Sequence, residues 1–388
     1  MRVHTVKAAL VGLAIIAAAW HPILAQSPAT AESSKAAVKP KDGTQAITDA
    51  VDQLVEQLRR HPPPLSKAAD RSAGLYMIDL STGEVTLVAD EPDEGVNFCG
   101  SPTWSYDGKR ILFDAMKQVQ LARIKAIEVI AGKLTVTDLG VGNCPTSSPA
   151  GDRIAFLLNS GGVPGAHAGI WLMQADGSQR RLLGSYGRPK WSPDSRQFMI
   201  IDFAIPANIS LMDVKPEKSG PLQIPNLQFY SVPSWASDGI IVAVVGTEFG
   251  DTIALVDVTN PPQGRITEVL WKMNFKGKGI GVSPLYPAYA VGSRRCVFIG
   301  KGNEGMALYS FQAGHADPPK RLEPEGSDTL IQDVALSPDG RYAVFSSSRT
   351  GPRQRGSAPG AGAPKREEGA DKKTDTSHST PPPGAPRP

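Results

Sequence analysis

Most of the residue patterns that carry chemistry are missing from this chain. It has no Gly-x-Ser-x-Gly elbow, no His-Glu-x-x-His, no Gly-rich phosphate loop closed by Lys-Ser/Thr and no Cys-x-x-Cys pair, which removes the common signatures of serine hydrolases, zinc peptidases, P-loops and thiol redox sites. Between residues 74 and 349 only two histidines occur, His167 and His315, both in Gly-Ala surroundings. Two histidines cannot build a three-His metal site, and a nucleophile–base pair would need one of them to meet Ser or Cys by tertiary accident. The expectation is therefore no catalytic residue, no cofactor and no metal. Cysteine is limited to Cys99, Cys144 and Cys296. An excess of one charge is lacking too: 41 Lys and Arg stand against 38 Asp and Glu, and the whole surplus lies beyond Arg349. Without a basic stripe the electrostatic footprint of nucleic-acid binding is absent.

What is present is a phrase that repeats. Pro102-Thr103-Trp104-Ser105-Tyr106-Asp107-Gly108-Lys109-Arg110-Ile111-Leu112-Phe113 returns as Pro145 to Phe156, as Trp191-Ser192-Pro193-Asp194, as Trp235-Ala236-Ser237-Asp238-Gly239, as a worn copy from Pro287 to Phe298, and as Leu336-Ser337-Pro338-Asp339-Gly340-Arg341. The slot held by Trp in the best copies steps 104, 147, 191, 235, 289, 336. A period of about 40 to 50 residues built from short alternating strands is the signature of propeller blades rather than of helical solenoids.

Each phrase reads as a hairpin. Its first residues form an inner strand, Ser-Pro-Asp-Gly makes the tight turn, and an Ile-Leu-Phe or Ala-Val-Phe run returns. A second hairpin follows most copies, as in Gly169 to Gly177 with Arg181 to Leu183, and Ile209 to Val214 with Leu222 to Ile224. Asp107, Asp194, Asp238 and Asp339 recur as turn-formers, and Trp104, Trp191 and Trp235 as wedges between blades. The ends of the array set the blade count. An orphan hairpin at Leu75 to Val88 precedes the first phrase, and the last phrase, Leu336 to Phe345, has no hairpin after it. Six phrases with one shared blade predict an all-β fold: a six-bladed β-propeller of four-stranded blades over 74–349, closed by N-terminal strands.

The Trp-Ser-Pro-Asp-Gly-Lys/Arg phrase followed by Ile-Ala-Phe-like strands resembles the TolB-type propeller repeat, which also occurs in the propeller domains of prolyl oligopeptidase-like enzymes. The resemblance spans Gly74 to Arg349. It implies a non-enzymatic role in which the ring mouth meets protein partners in the cell envelope. TolB carries an α/β domain ahead of its ring, and the residues before Gly74 are too few for one. In the oligopeptidases the catalytic machinery lies outside the propeller.

Arg2 and Lys7, then the apolar run Ala8 to Trp20, then small residues at Ala25 or Ala31 read as an export signal cleaved after 25 or after 31. The run is too short to span a bilayer, so the mature chain is expected to be a periplasmic or secreted monomer with no transmembrane span. A linker, 26–73, holds one helix over Thr44 to Arg60 with Ile47, Val51, Leu54, Val55 and Leu58 on one face. That face packs on the ring or receives a partner. Residues 350–388, rich in Gly, Pro, Ser and charge, have little to bury and are expected to be a disordered tail. Cys99 and Cys144 stand at the start of adjacent inner strands, where export permits a disulfide; two free thiols are the other reading. Cys296 reads as a small core residue.

Three segments differ most from their counterparts: Glu91 to Glu94, Asn159 to His167, and Trp271 to Lys278. In the last, Trp271 and Phe275 alternate with Lys276 and Lys278, a combination suited to partner recognition, and these four are the candidate partner-binding residues. The sequence thus points to a protein-interaction or scaffold module of the envelope. The alternative is a propeller enzyme, a lyase or hydrolase with its substrate in the central channel.

Overall fold

A computed structural model describes residues 42–64, 73–90, 96–214, 222–247, 250–272, 283–302, 305–322 and 330–348. The expected export signal and the 350–388 tail lie outside them, as do Glu91 to Glu94.

The described residues form six four-stranded antiparallel sheets and one long helix. Blade 1 is Phe98–Trp104, Arg110–Met116, Arg123–Ile130 and Lys133–Val141, running from the inner strand outwards. Blades 2 to 5 follow with inner strands Asn143–Ser147, Arg188–Trp191, Ser234–Ser237 and Ser283–Ala290. Blade 6 takes its inner pair, Ile331–Leu336 and Tyr342–Ser347, from the C-terminal end of the array, and its outer pair, Gly74–Asp79 and Val85–Ala89, from the N-terminal end. The join is a continuous ladder in which Tyr76 faces Phe345 and Ile78 faces Ala343. The six-bladed ring closed by N-terminal strands is thus what the phrase count predicts.

The core is not one mass but six, one in each seam. Trp104 packs in the seam between blades 6 and 1, Trp191 in that between 2 and 3, and Trp235 in that between 3 and 4. Tyr289 and Leu336 take the same slot in the seams between 4 and 5 and between 5 and 6. Aromatic side chains suit the slot because each supplies a large rigid area at small entropic cost.

The turn chemistry centres on a buried serine that the phrase supplies. Ser105 Oγ donates to Asp107 Oδ1 at 2.6 Å and accepts the Arg110 N–H at 3.0 Å. Ser192 with Asp194 and Ser337 with Asp339 repeat both bonds, and Ser148 does so with Asp152. The carboxylates are turn-formers, with the serine as the link that fastens each turn to its returning strand.

The helix α1, Asp42–Arg60, lies in the seam where the two chain ends meet. Val51, Leu54, Val55 and Leu58 are at most 1% exposed, packed among Met77, Cys99, Trp104 and Val344. Its apolar face is covered by the ring. Arg341, in the blade 6 turn, donates to Asp52 and to the Thr48 carbonyl, and Arg59 reaches Asp79 and Glu84. Gly108 lets the first turn approach: at φ +74° it is left-handed, and a Cβ there would sit 2.7 Å from Val51 Cγ2.

Two truncations test this closure. A chain starting at Asp90 leaves Tyr342–Ser347 as an open edge and should show no cooperative unfolding in a urea melt. A chain starting at His61 should unfold cooperatively at lower urea, since each of the four buried helix side chains is worth about 1.5–3 kcal/mol.

Candidate functional site

The channel wall is built from one repeated position. The residue three before the Trp slot is Ser101, Cys144, Arg188, Val232, Tyr286 or Asp333, and all six line one inner chamber of about 40 Å³. In four of them the backbone turns the side chain inwards: Ser101, Cys144, Tyr286 and Asp333 sit at φ 47–51°, each at an irregularity in its inner-strand pairing. A bulge re-aims a side chain that regular alternation would send into a seam.

Opposite blades meet across this ring. Arg188 of blade 3 pairs with Asp333 of blade 6, Nη1 to Oδ1 at 3.0 Å. Asp333 pushes the guanidinium pKa further up, against the effect of burial. Lys190, two residues on, faces the same chamber, and burial lowers its pKa. On the turn face Tyr106 reaches from blade 1 to donate to the Trp191 carbonyl of blade 3 at 2.9 Å. That ring crosses the end of the channel.

Among the described residues the loop face, where the inner strands begin, is open. A cavity of about 570 Å³ lies there, with Asp114, Asn143, Cys144, Arg188 and Asp333 at its base and Tyr186, Phe203, Asn159 and Lys117 in its walls. Tyr186 and Phe203 are 51% and 54% exposed, with ring centroids 6.0 Å apart, and Arg188 lies over the Phe203 ring. Tyr186 donates to Asn159 Oδ1, and Asn159 Nδ2 donates to the Val119 carbonyl, so loops of blades 1, 2 and 3 are tied together at the rim.

Asp114 is the unusual group. It is fully buried; Oδ2 accepts the Cys144 N–H at 2.9 Å, while Oδ1 has no partner among the described residues. Burial outweighs that bond and the pull of the nearby Ser101 hydroxyl, and raises its pKa to about 6. Burial likewise pushes the Cys144 thiol up to about 11, so the sulfur stays protonated at neutral pH.

The sequence candidates fall in different places. Trp271 is on the outer strand Arg265–Lys272 of blade 4, stacked at 5.6 Å on Phe298 of blade 5, and it does not line the cavity. Phe275, Lys276 and Lys278 lie outside the described residues. Asn159, from the second candidate loop, does enter the site. Cys99 and Cys144 are not joined by a disulfide, which corrects the disulfide alternative. The blade 1 residue that meets Cys144 is Ser101, whose Oγ is 3.6 Å from the sulfur, whereas Cys99 is turned into the seam beneath the helix. Arg188, Asp333, Asp114 and the Tyr186–Phe203 pair were not singled out from sequence. Reading down the repeat at the position three before the Trp slot would have found the first two, as opposite charges three blades apart.

No family model and no curated protein matches the chain. Solved structures do. A TolB structure from Agrobacterium tumefaciens is 15% identical at a TM-score of 0.50, over 71% of this chain and 97% of that one. TolB from Acinetobacter baumannii is also 15% identical, at a TM-score of 0.43, over 72% of this chain and 64% of that one. The propeller domain of the Trilobed protease from Pyrococcus furiosus is 14% identical, at a TM-score of 0.39, over 63% and 77%. The fold is a TolB-type six-bladed propeller.

Asp114 makes stability depend on pH. Folded, it holds its proton up to about 6; unfolded, only to the ordinary value of 3.8. The folded state therefore binds more protons between those values, and the group's contribution is present below about pH 4 and lost as pH rises past 6. Asp114→Asn should stabilise the protein at pH 7 by up to about 3 kcal/mol and change little at pH 3.5, measured by denaturant melts at both.

Proposed function

We propose that this chain is an exported, non-enzymatic interaction module of the cell envelope whose protein partner docks on the loop face, over the cavity. The observation that carries this reading is the difference between the two faces. The turn face is crossed by Tyr106 and bears the helix at one seam. The loop face presents half-exposed Tyr186 and Phe203 with exposed Val119 around a roomy depression, and Leu121 and Ile205 are exposed in the neighbouring loops. Aromatics that stay exposed although burial would stabilise them mark contact surfaces. Export rests on the basic, apolar and small-residue sequence of the first 31 residues. The segment Trp271 to Lys278 is offered as a second contact, with its aromatics and lysines suited to an acidic patch.

One observation favours the enzyme reading: a carboxyl with its pKa near 6 beside a cavity could act as an acid or base. Against it, Arg188 is committed to Asp333, Cys144 stays protonated, and one Asp114 oxygen is held by the Cys144 N–H.

The test compares envelope proteins crosslinked to the wild-type chain with those crosslinked to a Tyr186→Ala, Phe203→Ala double variant. Capture of the principal partner should fall more than about tenfold, roughly 1.4 kcal/mol, with an unchanged melting temperature. Undiminished capture, together with a turnover on peptide or polysaccharide substrates that Asp114→Asn abolishes, would replace this reading with the enzymatic one.

A further inference from the structure

Six buried side-chain polar atoms lack a partner among the described residues; only two are oxygens, Asp114 Oδ1 and Asn143 Oδ1. Both residues line the loop-face cavity. Asn143 Nδ2 lies 3.5 Å from the Val119 carbonyl, at the outer limit of a hydrogen bond, and Oδ1 is the end without a partner.

Two unmatched acceptors call for a donor, and one of them is a carboxylate. A neutral donor would satisfy either oxygen, but it would not balance the charge. The cation nearest the floor, Arg188, is bonded to Asp333, and Lys117 is exposed at the rim, where solvent screens it. Lys190 faces the chamber beneath and is not part of this cavity's lining. Keeping an uncompensated carboxylate here costs stability, and such a cost is retained where a ligand repays it. A metal ion is a poor fit, because among the described residues no three His, Cys, Asp or Glu side chains converge as ligands. The walls are instead aromatic, with Phe98, Tyr186 and Phe203 on the same cavity.

We infer that the floor of the cavity binds an organic cation, a primary ammonium or guanidinium on an apolar stem, whose N–H donors satisfy Asp114 Oδ1 and Asn143 Oδ1 while the stem lies against Phe203 and Tyr186. The cavity is of the size that holds a small ligand or one long side chain, and aromatic faces attract such a cation on its way in. The inference rests on the reading that the loop face is the binding face, and it names the group that enters. That group comes from a free amine or from a Lys or Arg side chain of a docked protein.

The charges facing Asp114 set the pH behaviour. Asp333 of blade 6 opposes its ionisation; Arg188 of blade 3, with the Cys144 N–H of blade 2 and Ser101 of blade 1, favours it. A cation binds the ionised carboxylate, so below about pH 6 it must first displace a proton.

The experiment titrates the full chain calorimetrically with phenethylammonium, with its neutral counterpart 2-phenylethanol, and with the peptide acetyl-Gly-Arg-Gly-amide. Phenethylammonium should saturate with a Kd of about 1 mM or tighter. It should bind at least about tenfold more tightly than the alcohol and about tenfold more tightly at pH 7 than at pH 5. Asp114→Asn, which should fold more stably than the parent at pH 7, should lose at least about tenfold. Phe203→Ala, on an exposed rim, should weaken binding while keeping the pH dependence. A peptide that outbinds the amine assigns the group to a protein partner, and the reverse order to a free metabolite; either supports the site. No saturation by either cation at about 10 mM, equal binding of the alcohol, or Asp114→Asn behaving as wild type would overturn it. Because no partner protein is involved, failure here leaves the crosslinking result untouched, and a failed crosslinking experiment leaves these titrations readable.

Discussion

A blade cannot hide both of its faces by itself, and everything else in this structure answers that constraint. The second strands of the blades, such as Arg110–Met116 and Arg153–Leu158, are buried along nearly their whole length, on both sides of the sheet. Alternate residues go to alternate seams: Ile111 and Phe113 to the seam with blade 6, Leu112 to the seam with blade 2. Each blade is therefore half of two cores, and removing one exposes two apolar faces. The ring must be complete to be stable, which is why the shared blade and the helix over its seam belong to the same solution.

This construction builds the apolar core without using the channel. The seams hold the apolar side chains, and the innermost position of each blade is left to point at a shared axis. Four bulges and left-handed residues, at Ser101, Cys144, Tyr286 and Asp333, hold that geometry in sparsely populated backbone regions. Arg188 and Asp333 then tie opposite blades across the axis, while Asp114 stands beside them without a countercharge of its own. Polar groups placed this way stabilise the ring less than apolar packing would.

The fold was legible because the phrase repeats. Trp104, Trp191 and Trp235 announce the seams, Ser-Pro-Asp-Gly announces the turns, and the orphan hairpin at Leu75 to Val88 announces the closure. The site was less so. Asp114 looks like any polar residue on a returning strand, and only the Cys144 N–H brought over from the next blade reveals that it is buried and half-satisfied. Tyr186 and Phe203 lie in short loops with no repeat signature, and their nearness depends on blades packing side by side. Trp271 shows the opposite limit: a Trp beside lysines resembles a recognition loop, and in the fold its ring also stacks on Phe298 of the next blade, a contact that sequence spacing does not carry.

The closing ladder also places a clock on the chain. Tyr76 leaves the ribosome long before Phe345, its partner across the ladder. At about 5–20 residues per second, roughly 15–55 s separate the two. Throughout that interval the first hairpin has no sheet to join, and the seam beneath the helix has only one wall. Such long-range pairing folds slowly and late. A chain that cannot finish its first-made blade until its last strands are synthesised carries an unpaired hairpin for most of its translation.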